Sequence, residues 1–141
     1  YKGCHMILNH LVGGLMNNIL IALVLMVMMS GNSYAYKVTE EGLLDTANQM
    51  NKTLPRTFPN GVLLESVSYI GNFTLLYNYR FSNILKNSIG DTSLLKKQMR
   101  NALCTNPATK QFFDQGVTLE THWYDKNWSF VYKVITNKYD C

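Results

Sequence analysis

The feature that most constrains the fold is an internal similarity between two segments that lie 55 residues apart. Residues 58–77 match residues 113–132 at eight of twenty positions without a gap, whereas chance alone would give about one match. A duplicated unit restricts the fold, because a small unit buries its apolar face only by packing against its neighbour. The identical positions are Phe58/Phe113, Gly61/Gly116, Val62/Val117, Leu64/Leu119, Glu65/Glu120, Tyr69/Tyr124, Asn72/Asn127 and Tyr77/Tyr132.

Each unit is predicted to be a helix followed by a β-hairpin, because the apolar spacing changes from helical to alternating at the shared glycine. Thr39 is a candidate N-cap for the first helix, and Pro55 ends that helix. Residues 91–93 offer caps for the second helix, and Asn106-Pro107 opens a short further turn. The hairpins are predicted at residues 62–81 and 117–136.

The order helix, hairpin, helix, hairpin predicts an α+β fold. It is expected to be a two-layer sandwich of duplicated αββ-αββ units, with a four-stranded antiparallel sheet and the helices on one face. The repeats span residues 36–81 and 91–136 of a single domain, residues 36–141, and a pseudo-twofold or screw relation should connect them. The hydrophobic fraction of 47% supplies one core. Bare sheet edges leave both a monomer and a homodimer open, since the last hairpin could pair with another subunit.

Alternation along the strands predicts which side chains meet the helices and which lie on the open face of the sheet. The return strands should direct an apolar and aromatic set toward the helices: Phe73, Leu75, Tyr77, Tyr79 and Phe81 in one unit, and Trp128, Phe130, Tyr132 and Val134 in the other. With two-residue turns, the open face holds the candidate binding residues Glu65, Tyr69, Arg80, Glu120, His122, Tyr124 and Lys133. A three-residue turn would point the two glutamates inward, which is disfavoured because burying unpaired charge is costly.

None of these side chains forms a catalytic or metal-binding motif. His122 is the single histidine of residues 36–141 and lies in no HExxH or triad pattern, so neither a metal site nor a cofactor is predicted. Glu65 and Glu120 occupy equivalent positions, and paired carboxylates would suit a small hydrolase. Ion pairs with Arg80 or Lys133 on a neighbouring strand are the simpler interpretation. The aromatic side chains near the turns, where a partner could reach them, are Tyr69, Trp123 and Tyr124.

An uninterrupted apolar run at residues 19–29 precedes Ser33-Tyr34-Ala35, a site of the kind that signal peptidases cleave. The run is shorter than the roughly 20 residues that a membrane span needs. Residues 1–35 are therefore predicted to be a leader, with a signal peptide at 16–35 and a possible upstream read-through at 1–15. A retained anchor is the alternative, because no Lys or Arg lies between Met16 and the run.

Cleavage after residue 35 would leave Cys104 and Cys141 of the three cysteines in the chain. Two cysteines in an exported domain of this size most simply form a disulfide. Their Cα atoms should then lie about 4.4 to 6.8 Å apart, and the bond would tie the last residue to the end of the second helix. A reactive thiol is the alternative, although no CxxC or Cys-His spacing accompanies either cysteine.

The segment from Gly61 to Tyr77 and its counterpart from Gly116 to Cys141, with an Asp-Lys-Asn turn, resembles small exported proteins of Gram-negative bacteria that have no named function. The resemblance implies export, to the periplasm or the extracellular space, and an α+β fold. It carries over no active residue.

Charge excludes one class of partner. Thirteen basic and nine acidic side chains give a net charge of +4, and the cations are scattered rather than interleaved with aromatics, which is unlike a nucleic-acid surface. The sequence therefore predicts a non-enzymatic exported binding or envelope-accessory domain with a protein partner and no membrane span after cleavage. One alternative is a secreted inhibitor or immunity-type protein that acts through a hairpin turn. The other is a small hydrolase that uses Glu65 and Glu120.

Overall fold

The computed structural model describes residues 37–141, so the predicted leader lies outside the described residues and stays a prediction. None of the described helices is long and apolar enough to cross a membrane. The elements are α1 (Glu40–Asn51), β1 (Arg56–Thr57), β2 (Val62–Tyr69), β3 (Thr74–Phe81), a 3₁₀ turn (Lys86–Ser88), α2 (Ser93–Thr105), α3 (Pro107–Asp114), β4 (Thr118–Tyr124) and β5 (Phe130–Thr136).

Two of the three described α-helices begin after capping residues that the sequence identifies, whereas Thr92, the residue before α2, makes no side-chain capping hydrogen bond. Thr39 Oγ1 accepts a hydrogen bond from the Gly42 backbone N–H at 3.0 Å, at the start of α1. The Asn106 side chain accepts from the first turn of α3, which begins at Pro107. Such acceptors are needed because the first N–H groups of a helix have no intrahelical partner.

The described strands form one five-stranded mixed sheet in the order β1-β2-β3-β4-β5. The hairpins β2–β3 and β4–β5 are antiparallel, but the central strands β3 and β4 are parallel. The prediction of a four-stranded antiparallel sheet is therefore wrong, and β1 adds an antiparallel edge strand beside β2. The reason is the connection: α2 and α3 lie between β3 and β4, and a helical crossover lets the chain enter the next strand in the same direction.

The parallel pairing also bears on the predicted relation between the two units. A twofold axis normal to the sheet between β3 and β4 would make these strands antiparallel, so no such axis relates the hairpins. The strand registers of the two hairpins also differ. Leu64 lies opposite Tyr79, but Leu119, which is equivalent to Leu64, lies opposite Thr136. Thr136 is two residues beyond the position that is equivalent to Tyr79. The duplication stays a prediction from the sequence. The features that the units share are local, namely positive φ angles at Gly61 and Gly116 and buried rings at Tyr77 and Tyr132.

One face of the sheet is buried beneath the helices in a single core. Trp123 lies within this core, and its ring stacks on Tyr79 and Tyr132 with centroids 4.6 and 5.6 Å away. Tyr77 and Tyr132 are each 5% exposed, so their predicted burial is confirmed. Burial also raises the pKa of Tyr77 to about 12. Helix residues that complete the core are Leu43, Ala47, Met99, Leu103 and Phe113.

A β-bulge in β2 corrects part of the predicted face assignment. The pairing with β3 shifts between Leu64 and Ser66, so the alternation of side chains reverses after Glu65. Beyond the shift, Val67 is fully buried and Tyr69 packs against the core. Tyr69, which was expected on the open face, therefore lies on the helix side. Alternation alone cannot locate such a bulge, because the bulge adds one residue to one strand.

The β4–β5 turn corrects the rest of the face assignment. The pairing of β4 with β5 shifts between Trp123 and Tyr124, and Trp128 adopts a positive φ of 65°. Trp128 and Phe130, which were expected in the core, are 53% and 43% exposed. Trp123, which was expected within reach of a partner, is 1% exposed. The two tryptophans thus have the reverse of their predicted environments.

The disulfide between Cys104 and Cys141 is confirmed, with the Cα atoms 5.3 Å apart. It joins α2 to the last residue of the chain, 37 positions later. Because α2 also packs against β5, the bond closes a loop that contains α3 and the second hairpin.

Candidate functional site

The open face is the side of the sheet away from the helices, and its side chains are half-buried or exposed. In β3 and β4, Arg80 lies beside Tyr124, and Asn78 lies beside His122. In β5, Lys133 lies opposite His122. The other open-face positions of these three strands are Thr74, Leu76, Thr118, Glu120, Phe130 and Ile135.

Two ion-paired groups lie on the open face. Arg80 Nε donates to Glu65 Oε1 at 2.6 Å. Glu120 Oε1 lies 2.6 Å from His122 Nε2 and 3.7 Å from Lys133 Nζ. Glu65 therefore pairs with Arg80 and Glu120 with Lys133, each within its own hairpin, as the simpler interpretation of the sequence expected. The two carboxylates have separate partners.

An aromatic cluster occupies one end of the open face. The guanidinium carbon of Arg80 lies 5.0 Å from the centroid of the Trp128 ring. The Tyr124 ring lies 5.7 Å from that of Trp128 and 5.9 Å from that of Phe130. The His122 ring meets Phe130 edge to face at 5.7 Å. We call this set, which consists of Arg80, His122, Tyr124, Trp128 and Phe130, the aromatic corner.

Trp128 is held in an unfavourable backbone conformation. Its φ of 65° lies in the left-handed region, which costs a non-glycine residue about 1 to 2 kcal/mol. About half of its side chain is nevertheless exposed, so burial offsets this cost only in part.

The turn that carries Trp128 is fixed by Asp125. Its Oδ1 accepts from the backbone N–H groups of Asn127 and Ser129, both at 2.8 Å. Its Oδ2 accepts from the Lys86 N–H at 3.0 Å, which joins the turn to the 3₁₀ segment after β3. These hydrogen bonds, with that from Lys86 the strongest influence, hold the pKa of Asp125 below its ordinary value.

The replacement Asp125→Asn is expected to destabilise the protein at neutral pH and to weaken the dependence of its stability on acid. The amide oxygen can keep the bonds to the turn, but the NH₂ group then faces the Lys86 N–H, which is also a donor. Because the folded-state pKa of Asp125 is below its unfolded value of about 3.9, the wild-type contribution is complete above that pH. It is lost as the pH falls through the folded-state pKa. Urea unfolding at pH 7 and at a series of lower pH values measures both effects.

The control for this prediction is Asp114→Asn, which changes an exposed carboxylate of α3 that lies 2.9 Å from Lys110. We expect this control to leave both the stability at pH 7 and the acid dependence near those of the wild type, because exposed pairs contribute little. If Asp125→Asn kept the full acid dependence of the wild type, the carboxylate would not hold the turn as described.

The residues of the alternative hydrolase, Glu65 and Glu120, are half-buried on the open face of the sheet. Residues 37–141 contain no group of three His, Cys, Asp or Glu side chains that could hold a metal ion. Two surface depressions have linings that exclude Glu65, Glu120 and His122. One is lined by Leu85, Lys86, Asn87, Gly90 and Asp125, and the other by Cys104, Lys110, Phe113, Asp114, Lys138 and Cys141.

The sequence placed most of the candidate residues on the correct face but missed the most exposed part of the site. Trp128 and Phe130 reach the open face because the turn from Asp125 to Ser129 is longer than a two-residue turn. The only sequence signal for this was the Asp-Lys-Asn run, in which Asp and Asn favour wider turns. The candidate residues that the structure places on the open face are Glu65, Arg80, Glu120, His122, Tyr124 and Lys133, and Tyr69 lies apart from them.

Comparison with known proteins identifies the fold. No protein-family model matches the sequence, and no curated protein matches it significantly. A Pseudomonas aeruginosa protein classed as secreted has a similar structure, with a TM-score of 0.62 and 16% identity over 72% of this chain and 91% of that chain. The type 2 secretion pilotin of Vibrio vulnificus has a TM-score of 0.60 and 12% sequence identity, and the match covers 72% of this chain and 90% of that chain. The type II secretion pilotin of Vibrio cholerae has a TM-score of 0.57 and 15% identity, and the match covers 72% of this chain and 91% of that chain. These identities establish a shared fold only.

Proposed function

We propose that the chain is an exported, non-enzymatic accessory domain of the bacterial envelope, and that it binds a protein partner through the open face. The observation that carries this proposal is the aromatic corner, where Trp128 and Phe130 are exposed beside Arg80. Tryptophan, tyrosine and arginine are enriched among the residues that supply most of the binding energy at protein interfaces. A small molecule would need a concave pocket, whereas this site lies on a sheet face that no described helix covers.

Export is supported by three independent features. The predicted signal peptide at residues 16–35 has a short apolar run and a small-residue cleavage site. The Cys104–Cys141 disulfide is typical of oxidising compartments. Proteins with the same fold include two pilotins of type II secretion systems and a protein classed as secreted. A secretion system is a protein assembly, so its pilotins also favour a protein as the partner here.

The alternative of an inhibitor that acts through a hairpin turn needs a protruding turn with an apolar tip. In the β4–β5 turn, the Trp128 ring instead folds back over Arg80 and against Tyr124. A ring packed in this way extends the open face and does not form an isolated tip. This packing favours binding through the face.

Site-specific photocrosslinking in intact native cells tests the proposal. A photoreactive phenylalanine analogue replaces Trp128 in one variant and Leu94 of α2 in the control, since these side chains are 53% and 55% exposed. We expect a discrete protein adduct from position 128 and none from position 94. The absence of an adduct at position 128, or the same adducts at both positions, would refute binding through the open face.

A further inference from the structure

Strand β5 forms one edge of the sheet that the described strands build. Among the described strands it pairs only with β4, and the strand order ends there. Alternate residues of its seven-residue length therefore direct N–H and C=O groups away from the sheet. The opposite edge is formed by β1, which has only two residues. A long free edge is a template on which a further strand can pair.

The side chains of β5 indicate what kind of strand fits. Lys133 lies near the middle of the strand on the open face, and its side chain is 54% exposed. Its nearest carboxylate oxygen, on Glu120, is 3.7 Å away and already lies 2.6 Å from His122. Phe130 and Ile135 are exposed on either side of Lys133 along the strand. The edge therefore presents a weakly paired cation between two apolar side chains.

A second copy of the chain fits this edge poorly. In the antiparallel register that overlaps the two strands most fully, one Lys133 would lie opposite the other, and like charges in that position destabilise a sheet. Lysine on an edge strand is also a common means of preventing self-association. An acidic residue opposite Lys133 would instead form a favourable cross-strand pair.

We infer that β5 accepts an extended segment of the partner protein, with an acidic residue opposite Lys133 and apolar residues two positions to either side. The inference rests on the proposed function and specifies the part of the partner that is bound. The apolar residues of the added strand would lie on the open face, one beside Ile135 and one beside Phe130. Ile135 is two positions from Lys133 and therefore shares its face. Phe130 is three positions from Lys133 and reaches the same face because the pairing of β5 with β4 shifts by one residue between Phe130 and Tyr132. The order apolar, acidic, apolar is the same from either end of the added strand, so the strand can pair with β5 in the parallel or the antiparallel direction.

A pair of synthetic peptides tests the inference. Both have nine residues with Ile and Phe two positions from the centre, and they differ only in a central Glu or Lys. Each is titrated to millimolar concentration into the full exported protein, and the backbone amides are followed by NMR. We expect the Glu peptide to bind roughly fivefold more tightly than the Lys peptide, and to slow hydrogen exchange at alternate residues of β5.

A charge reversal in the protein provides the matched control. Lys133→Glu should invert the preference between the peptides, whereas Lys97→Glu, on the exposed side of α2, should not. Failure to bind, equal binding of both peptides, or an unchanged preference in Lys133→Glu would overturn the inference. A dimer formed through β5 in sedimentation experiments would also overturn it. None of these results removes the crosslink at position 128, so they are distinguishable from failure of the proposed function.

Discussion

The replacement Trp123→Ala is expected to lower the free energy of unfolding by about 3 to 5 kcal/mol. The indole is 1% exposed and its centroid lies 4.6, 5.3 and 5.6 Å from those of Tyr79, Phe81 and Tyr132. Truncation removes these contacts and leaves a cavity between the sheet and the helices, which a close-packed interior fills only in part. It also removes the donor that bonds the buried Thr121 hydroxyl at 3.2 Å.

Urea unfolding followed by circular dichroism measures this effect, and the other tryptophan provides the control. Trp128→Ala should cost about 1 kcal/mol or less, because it removes mainly an exposed cation–π contact with Arg80. Equal losses in the two variants would mean that the two faces of the sheet are assigned incorrectly.

Removal of the disulfide by the double replacement Cys104→Ser and Cys141→Ser is expected to lower the free energy of unfolding by about 3 to 4 kcal/mol. The bond links positions 37 apart, so its loss restores to the unfolded chain the freedom of a long loop. Loss of the bond affects the folded state less than the unfolded state, because α2 remains packed against β5 and α3.

Chemical denaturation of the oxidised protein, the reduced protein and the double variant measures the contribution of the disulfide. The reduced wild type should unfold at the same denaturant concentration as the variant, and a reductant should not affect the variant. A loss of less than about 1 kcal/mol in the variant would contradict the role given to this bond.

Local signals in the sequence predicted most of the elements. The change from helical to alternating spacing of apolar residues at Gly61 and Gly116 located both hairpins. This spacing depends only on which secondary structure the local segment forms. Thr39 and Asn106 marked helix starts because a cap acts on its own helix. The cysteine pairing followed from there being two cysteines in the predicted mature chain, and the structure confirms it.

Properties that depend on tertiary packing were not predicted. The parallel pairing of β3 with β4 depends on where the helices cross the sheet, which no local pattern records. The bulge after Leu64 moved Tyr69 to the helix side, and the long turn at Asp125 moved Trp128 and Phe130 to the open face. The ion pairs were predictable because they join neighbouring positions within a hairpin, whereas the aromatic corner depends on these irregularities.

The claim that the open face is a binding surface is tested most directly by Trp128→Gly. Glycine adopts the observed φ of 65° without strain, which offsets the loss of the ring contacts with Arg80 and Tyr124. We therefore expect the free energy of unfolding to stay within about 1 kcal/mol of the wild type. Crosslinking to the partner from a photoreactive group at position 130 should fall at least about tenfold. A stable variant that crosslinks with wild-type yield would contradict the account.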